Sequence, residues 1–179
     1  MMSRKLLVNI HLYLATFLAP IILMMAISGG LYLFEYKGNV EKEVIYSGPA
    51  TFQLDSKDLE AEVTKFLQAN NQNPDFEYLR KGSSGFVTRP TSRDYYSFKF
   101  NADQLQVVLE KPDAIKTIVE LHKGHGPSWF KAFQKLTAFG LTFILLSGLW
   151  IALKTPPMRK LAISLTSAGL LVWLALAFI

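Results

Sequence analysis

The chain has 179 residues, half of them hydrophobic, with 19 Lys and Arg against 14 Asp and Glu. All 14 acidic residues lie between Glu35 and Glu120, so an acid-free apolar frame surrounds a mixed-charge insert; this excludes a simple soluble globule and a disordered chain. The absence of cysteine excludes disulfides, thiolate zinc sites, cysteine-ligated iron–sulfur clusters, a cysteine nucleophile and covalent c-type haem, and with no basic run longer than two the net charge of +5 does not point to nucleic acid.

In chain order, the first element is Leu6 to Phe34, 29 residues without a formal charge. That exceeds the ~20 helical residues a bilayer core needs, so it reads as a tilted or extended span. A cleaved signal peptide, with Met1 to Lys5 as its basic start, fits less well, because the apolar run exceeds a signal's and contains Asn9 and His11.

The insert predicts a small α+β domain. Glu43 to Tyr46 opens a strand. Asp55 or Ser56 caps a helix carrying Leu59, Val63, Phe66 and Leu67, which Asn70-Asn71 ends. Phe76–Arg80, Gly85–Thr88, Tyr95–Phe100 and Gln104–Leu109 read as an antiparallel meander, with turns at 82–85, at Pro90-Thr91 and at Asn101-Ala102-Asp103. Alternation places Tyr96, Phe98 and Phe100 on one face, which reads as core rather than a binding platform. A second helix starts at Pro112-Asp113 and ends at Gly124. The insert shows no metal-ligand cluster, nucleophile elbow or phosphate loop, and no residue is assigned a catalytic role.

Two more spans follow: Leu136–Leu153 between Lys135 and Lys154, and Leu161–Ile179. The fold class is therefore membrane α-helical, with three spans and an inserted extracytoplasmic α+β domain. Pro156-Pro157 predicts a tight, non-helical hairpin between the last two spans. Arg4 and Lys5, and the loop residues Lys154, Arg159 and Lys160, place the N-terminus and that loop in the cytoplasm, and the insert and Ile179 outside.

Three histidines are the candidate site residues. His11 lies within the first span, where an ionisable side chain points to function; the plainer reading is a hydrogen bond to a neighbouring helix or to headgroups. His122 shares a helical stripe with Ile115, Ile118 and Val119; it reads equally as a ligand or as a helix C-terminal residue favouring the dipole. His125, between glycines and before Pro127, reads first as a solvated turn residue. Imidazoles near a membrane suit b-type haem, which is held without cysteine.

Local patterns add a resemblance. Arg4-Lys5 and an early His11, Ser28-Gly29-Gly30 closing the first span, Leu121-His122-Lys123-Gly124 after the insert, and Ser147 to Trp150 (Ser-Gly-Leu-Trp) in the second span resemble the PepSY-associated transmembrane family. The resemblance implies residues 1–36 as the first transmembrane helix, 37–126 as an extracytoplasmic PepSY-like domain with its junction, and 127–179 as the second and third transmembrane helices. Longer relatives look like two such halves and include ferrisiderophore reductases with b-type haem. By that resemblance His11 and His122 are the expected ligands of haem iron, His125 a weaker candidate, and the chain an electron-transfer subunit of the bacterial inner membrane. On this reading residues 37–131 and the C-terminus are periplasmic. Residues 11 and 30 are already ~28 Å apart along a helix, so one haem cannot take both His11 and His122. A bis-histidine site then needs a second copy of the chain or a membrane redox partner, or else a weak ligand such as a methionine. The rival expectation is a non-enzymatic anchor whose PepSY domain binds or restrains a periplasmic partner such as a peptidase.

Overall fold

The computed structural model describes residues 4–101 and 103–179. In chain order these form α1 (Arg4–Leu33), β1 (Val40–Pro49), α2 (Leu59–Ala69), β2 (Tyr78–Lys81), β3 (Gly85–Arg89), β4 (Tyr95–Asn101), β5 (Gln104–Pro112), α3 (Ala114–His122), α4 (Ser128–Leu153) and α5 (Pro156–Phe178). The helices α1, α4 and α5 are long and apolar enough to cross a membrane. The chain is thus a three-helix membrane protein with a small α+β domain inserted between its first two long helices. Contacts divide it into two units: the chain up to Ile22 with Lys135–Ile179, and Leu23–Gln134.

The first unit is held by small residues and hydroxyls. Leu18 is buried and enters the space that Gly140 leaves on α4. Missing side chains of this kind let helices approach where lipid offers no hydrophobic drive. Arg4 Nη2 donates to Thr155 Oγ1 at 3.0 Å. No residue of α5 is buried. The expected non-helical hairpin at Pro156-Pro157 is corrected: both prolines lie in the first turn of α5. Proline is tolerated there because the N–H it lacks would have no partner within the helix. The break falls instead at Thr155, whose carbonyl accepts from Met158 and Arg159.

In the second unit the sheet order is β1-β5-β4-β3-β2, antiparallel throughout. The meander β2 to β5 is as expected, and β1 runs longer than Glu43–Tyr46, pairing with β5 from Val40↔Pro112 to Pro49↔Gln104. A bulge between Val44 and Tyr46 shifts the register. One face of the sheet buries Phe86, Tyr96, Phe98, Leu105 and Val107 against Leu59, Val63, Phe66 and Leu67 of α2. Phe86 and Phe98 stack at 4.5 Å between ring centroids. The aromatic face is therefore core.

Helix α2 starts at Leu59 with Asp58 at its N-cap, not at Asp55 or Ser56; Ser56 Oγ only accepts from the Asp58 N–H at 3.4 Å. Asn71, at φ 57°, follows its C-terminal end. Asp113 caps α3 by accepting from the Lys116 N–H at 2.6 Å, and Gly124, at φ 74°, follows its end. Of the expected turn at Asn101-Ala102-Asp103, Ala102 lies outside the described residues, while Asn101 pairs with Gln104. Helix α4 begins at Ser128 rather than Leu136, because the Pro127 carbonyl accepts the first helical bond, from Lys131.

Candidate functional site

Two histidines sit on serine–glycine pairs, one in each unit. In the second unit, Ser28 is fully buried on α1 and donates its O–H to the Met24 carbonyl at 2.7 Å. Such back-bonding is how a hydroxyl is satisfied within an apolar helix. His122, the last residue of α3, places Nδ1 3.0 Å from Ser28 Oγ and 2.9 Å from the Met25 carbonyl. A carbonyl can only accept, so Nδ1 carries the proton. In the neutral ring Nε2 then keeps its lone pair, and among the described residues it has no hydrogen-bond partner.

Gly29 makes the seat sterically. A Cβ at Gly29 would lie 3.0 Å from His122 Cε1, tighter than ordinary contact. Beside the ring is a groove of about 410 Å³, walled by Tyr32, Leu33 and Val119 with Lys123 at its edge. Gln134 of α4 braces the end of α3 by donating to the Leu121 carbonyl at 2.7 Å.

The first unit repeats this arrangement. His11 Nδ1 lies 2.8 Å from Ser147 Oγ, and Ser147 donates its own O–H to the Ile144 carbonyl at 3.1 Å. In the tautomer that carries its proton on Nδ1, the serine oxygen accepts from His11 Nδ1–H. Nε2 is again without a partner among the described residues. A Cβ at Gly148 would lie 3.2 Å from His11 Cε1. As neutral rings in the Nδ1–H tautomer, both histidines present a bare Nε2, the state in which imidazole ligates a metal.

The sequence names all the participants but not the pairing. The available signal was the Ser-Gly dipeptide at 28–29 and again at 147–148, one copy for each histidine in or beside a span.

His125 is held differently. Its Nδ1 lies 2.6 Å from Glu120 Oε2, and its carbonyl accepts from the Thr91 N–H. The Glu120 carboxylate is buried and also accepts from Thr91 Oγ1 at 2.7 Å and from Lys123 Nζ at 3.1 Å; Lys116 Nζ is 3.3 Å away and Arg89 Nη1 3.8 Å. Burial pushes the Glu120 carboxyl up, but the hydrogen bonds from Thr91, His125 and Lys123 outweigh it and hold the pKa at about 2. Burial lowers the His125 pKa, against the opposing effect of its bond to Glu120. Sequence reasoning missed this cluster, because Arg89 and Thr91 reach Glu120 only through the fold.

Among the described residues, no group of three or more His, Asp or Glu converges to hold a metal ion. Each seat offers one nitrogen, which suits a metal whose other ligands come from a macrocycle.

A family model described as the PepSY-associated TM region matches residues 8–176. No curated protein matches the chain. No solved structure matches it.

Proposed function

The chain belongs to the family of the PepSY-associated TM region, and we propose that it is a membrane electron-transfer subunit holding b-type haem. It would pass electrons across the bacterial inner membrane toward ferric iron or a periplasmic redox partner. The observation that supports this is the pair of serine–glycine seats, each holding an imidazole through Nδ1, with Nε2 unpartnered among the described residues.

The donor set fits the group. A porphyrin supplies four nitrogens, so one or two imidazoles complete the iron and no cysteine is needed. Haem when bound supplies one-electron exchange at its iron. The chain's residues supply the rest. His11 and His122 would each offer Nε2 as a ligand to the iron. Ser147, and Ser28 with the Met25 carbonyl, fix the tautomer and ring direction. Gly148 and Gly29 leave room for the ring edge, and Tyr32, Leu33 and Val119 give the His122 groove apolar walls. His125 is committed to Glu120 and serves the fold. With one imidazole per seat, any second protein ligand would come from another copy of the chain or from a membrane redox partner.

The basic residues Arg4, Lys5, Lys154, Arg159 and Lys160 favour a cytoplasmic N-terminus, with residues 37–131 and the C-terminus periplasmic. Reporter fusions at Lys57 and Thr155 should report opposite compartments, and a cytoplasmic Lys57 fusion would overturn this topology.

The spectrum tests the function. The full chain purified in detergent should show a Soret band and a reduced α band. His11→Ala and His122→Ala should each remove part of the signal, and the double variant all of it. Unchanged spectra in both single variants would sink the ligand assignment. A colourless protein that takes up no added haem would favour the rival reading, a membrane anchor whose inserted domain holds a periplasmic partner such as a peptidase.

A further inference from the structure

The sheet has a second face, opposite the aromatic core, and its register sorts the side chains there. Arg80 pairs with Val87, Val87 with Ser97, and Gly85 with Lys99, while Arg89 pairs with Tyr78. Alternation along each strand therefore puts Arg80, Arg89 and Lys99 on one face, around Ser97. A groove of about 310 Å³ opens there, and no Asp or Glu lines it.

Two features bear on how the guanidinium of Arg89 is satisfied. Arg89 is only 7% exposed, and its Nη1 donates to Thr91 at 2.7 Å, yet its Nε is buried without a hydrogen-bond partner. A buried donor of this kind costs free energy until something accepts from it. Arg80 adds like charge on the same face: the Arg89 pKa is lowered, chiefly by burial, and Arg80 acts in the same direction, against the larger opposing effects of Tyr78 and Glu120. Glu120 reaches the guanidinium only from the Thr91 side, 3.8 Å from Nη1. An oxyanion in the groove would relieve the repulsion.

We propose that Arg80, Arg89 and Lys99 form an oxyanion site on the inserted domain that takes a phosphate group. Three cations around one hollow, with the Ser97 hydroxyl beside them, suit a tetrahedral anion with several acceptor oxygens. The phosphate can belong to a lipid headgroup or to a free anion. The site is independent of the haem reading, because it shares no residue with either histidine seat.

The test uses the full chain. In detergent, inorganic phosphate is titrated by calorimetry against the natural chain and the double variant Arg80→Gln/Lys99→Gln, both of which are exposed positions. Saturable binding is expected, weakened about tenfold or more in the double variant, with the circular dichroism spectrum unchanged. Arg80→Lys should retain most of the affinity. A second arm follows amide exchange across residues 80–99 in nanodiscs without added phosphate. Protection by phosphatidylglycerol but not phosphatidylcholine assigns the phosphate to a lipid. Protection only on adding inorganic phosphate assigns it to a free anion. Absence of both saturable binding and protection overturns the proposal, as does equal affinity in the double variant.

Discussion

The two units build the same histidine seat from unlike materials. The unit containing His11 has no acidic residue, and glycine notches and hydroxyls hold it. The unit containing His122 rests on an aromatic core and a buried carboxylate with three cationic neighbours and the His125 imidazole. In both, the ring lies over a glycine and Nδ1 meets a serine oxygen that also bonds a carbonyl one turn back. The seat is therefore a local device, set by a dipeptide on a helix. The surroundings decide how firmly it is held.

Acid should separate the two units most strongly. The folded Glu120 carboxyl titrates at about 2 against an ordinary 4.5. A depressed carboxyl contributes stability that is complete above its unfolded value and lost as pH falls through the folded one. Glu120 should thus remove about 3 kcal/mol from the inserted domain between pH 4.5 and 2. His125, also lowered, acts in the same sense from about its ordinary 6.5 downward, since the unfolded chain takes up the proton first. Near-ultraviolet dichroism of the tyrosines should therefore melt earlier at pH 3 than at pH 7, while the far-ultraviolet helix signal of the spans holds. Glu120→Gln should flatten that dependence. An equal acid response of both signals would erase the distinction between the units.

The serines sharpen the comparison next. Ser147→Ala leaves His11 Nδ1 without a partner, whereas Ser28→Ala leaves His122 Nδ1 bonded to the Met25 carbonyl. Loss of such an orienting bond costs about ten- to a hundredfold in metal affinity. Haem titrations should show a loss of that order in Ser147→Ala, a clearly smaller one in Ser28→Ala, and recovery in Ser147→Thr. Equal losses would mean that the carbonyl contributes nothing.

Glycine changes should give the smallest separation. A methyl group at Gly29 would stand 3.0 Å from the ring and one at Gly148 3.2 Å. Both alanine variants should weaken haem binding, Gly29→Ala slightly more. A reversed order would show that the His122 ring shifts more easily into its groove.

How legible each part was follows from how local its cause is. The spans read directly from gaps in the charge pattern, and the aromatic core from alternation at Tyr96, Phe98 and Phe100. Strand β1 was read short because Glu41 and Lys42, ahead of Glu43, show little apolar pattern; the pairing depends on β5, far along the chain, where Lys111 meets Glu43 at 3.2 Å. The prolines at 156 and 157 were misread because a helix start and a turn tolerate the same residue. The site was half legible: the histidines stood out chemically, but their partners, Ser28 for His122 and Ser147 for His11, lie 94 and 136 positions away.

The pairing of Val40 with Pro112 places the beginning and end of the sheet side by side. Asn39 and Asp113 fasten that junction: the Asp113 N–H donates to the Asn39 carbonyl at 3.0 Å, and the Asn39 N–H donates back to the Asp113 carboxylate at 2.8 Å. Everything between them can be treated as a cassette. A two-residue hairpin turn has the reach to join strand positions so placed, so the sheet and α2 are exchangeable without re-routing the polypeptide on either side. Ser28, Gly29 and His122 all lie outside that interval, so changes within it leave the spacing around the His122 seat untouched.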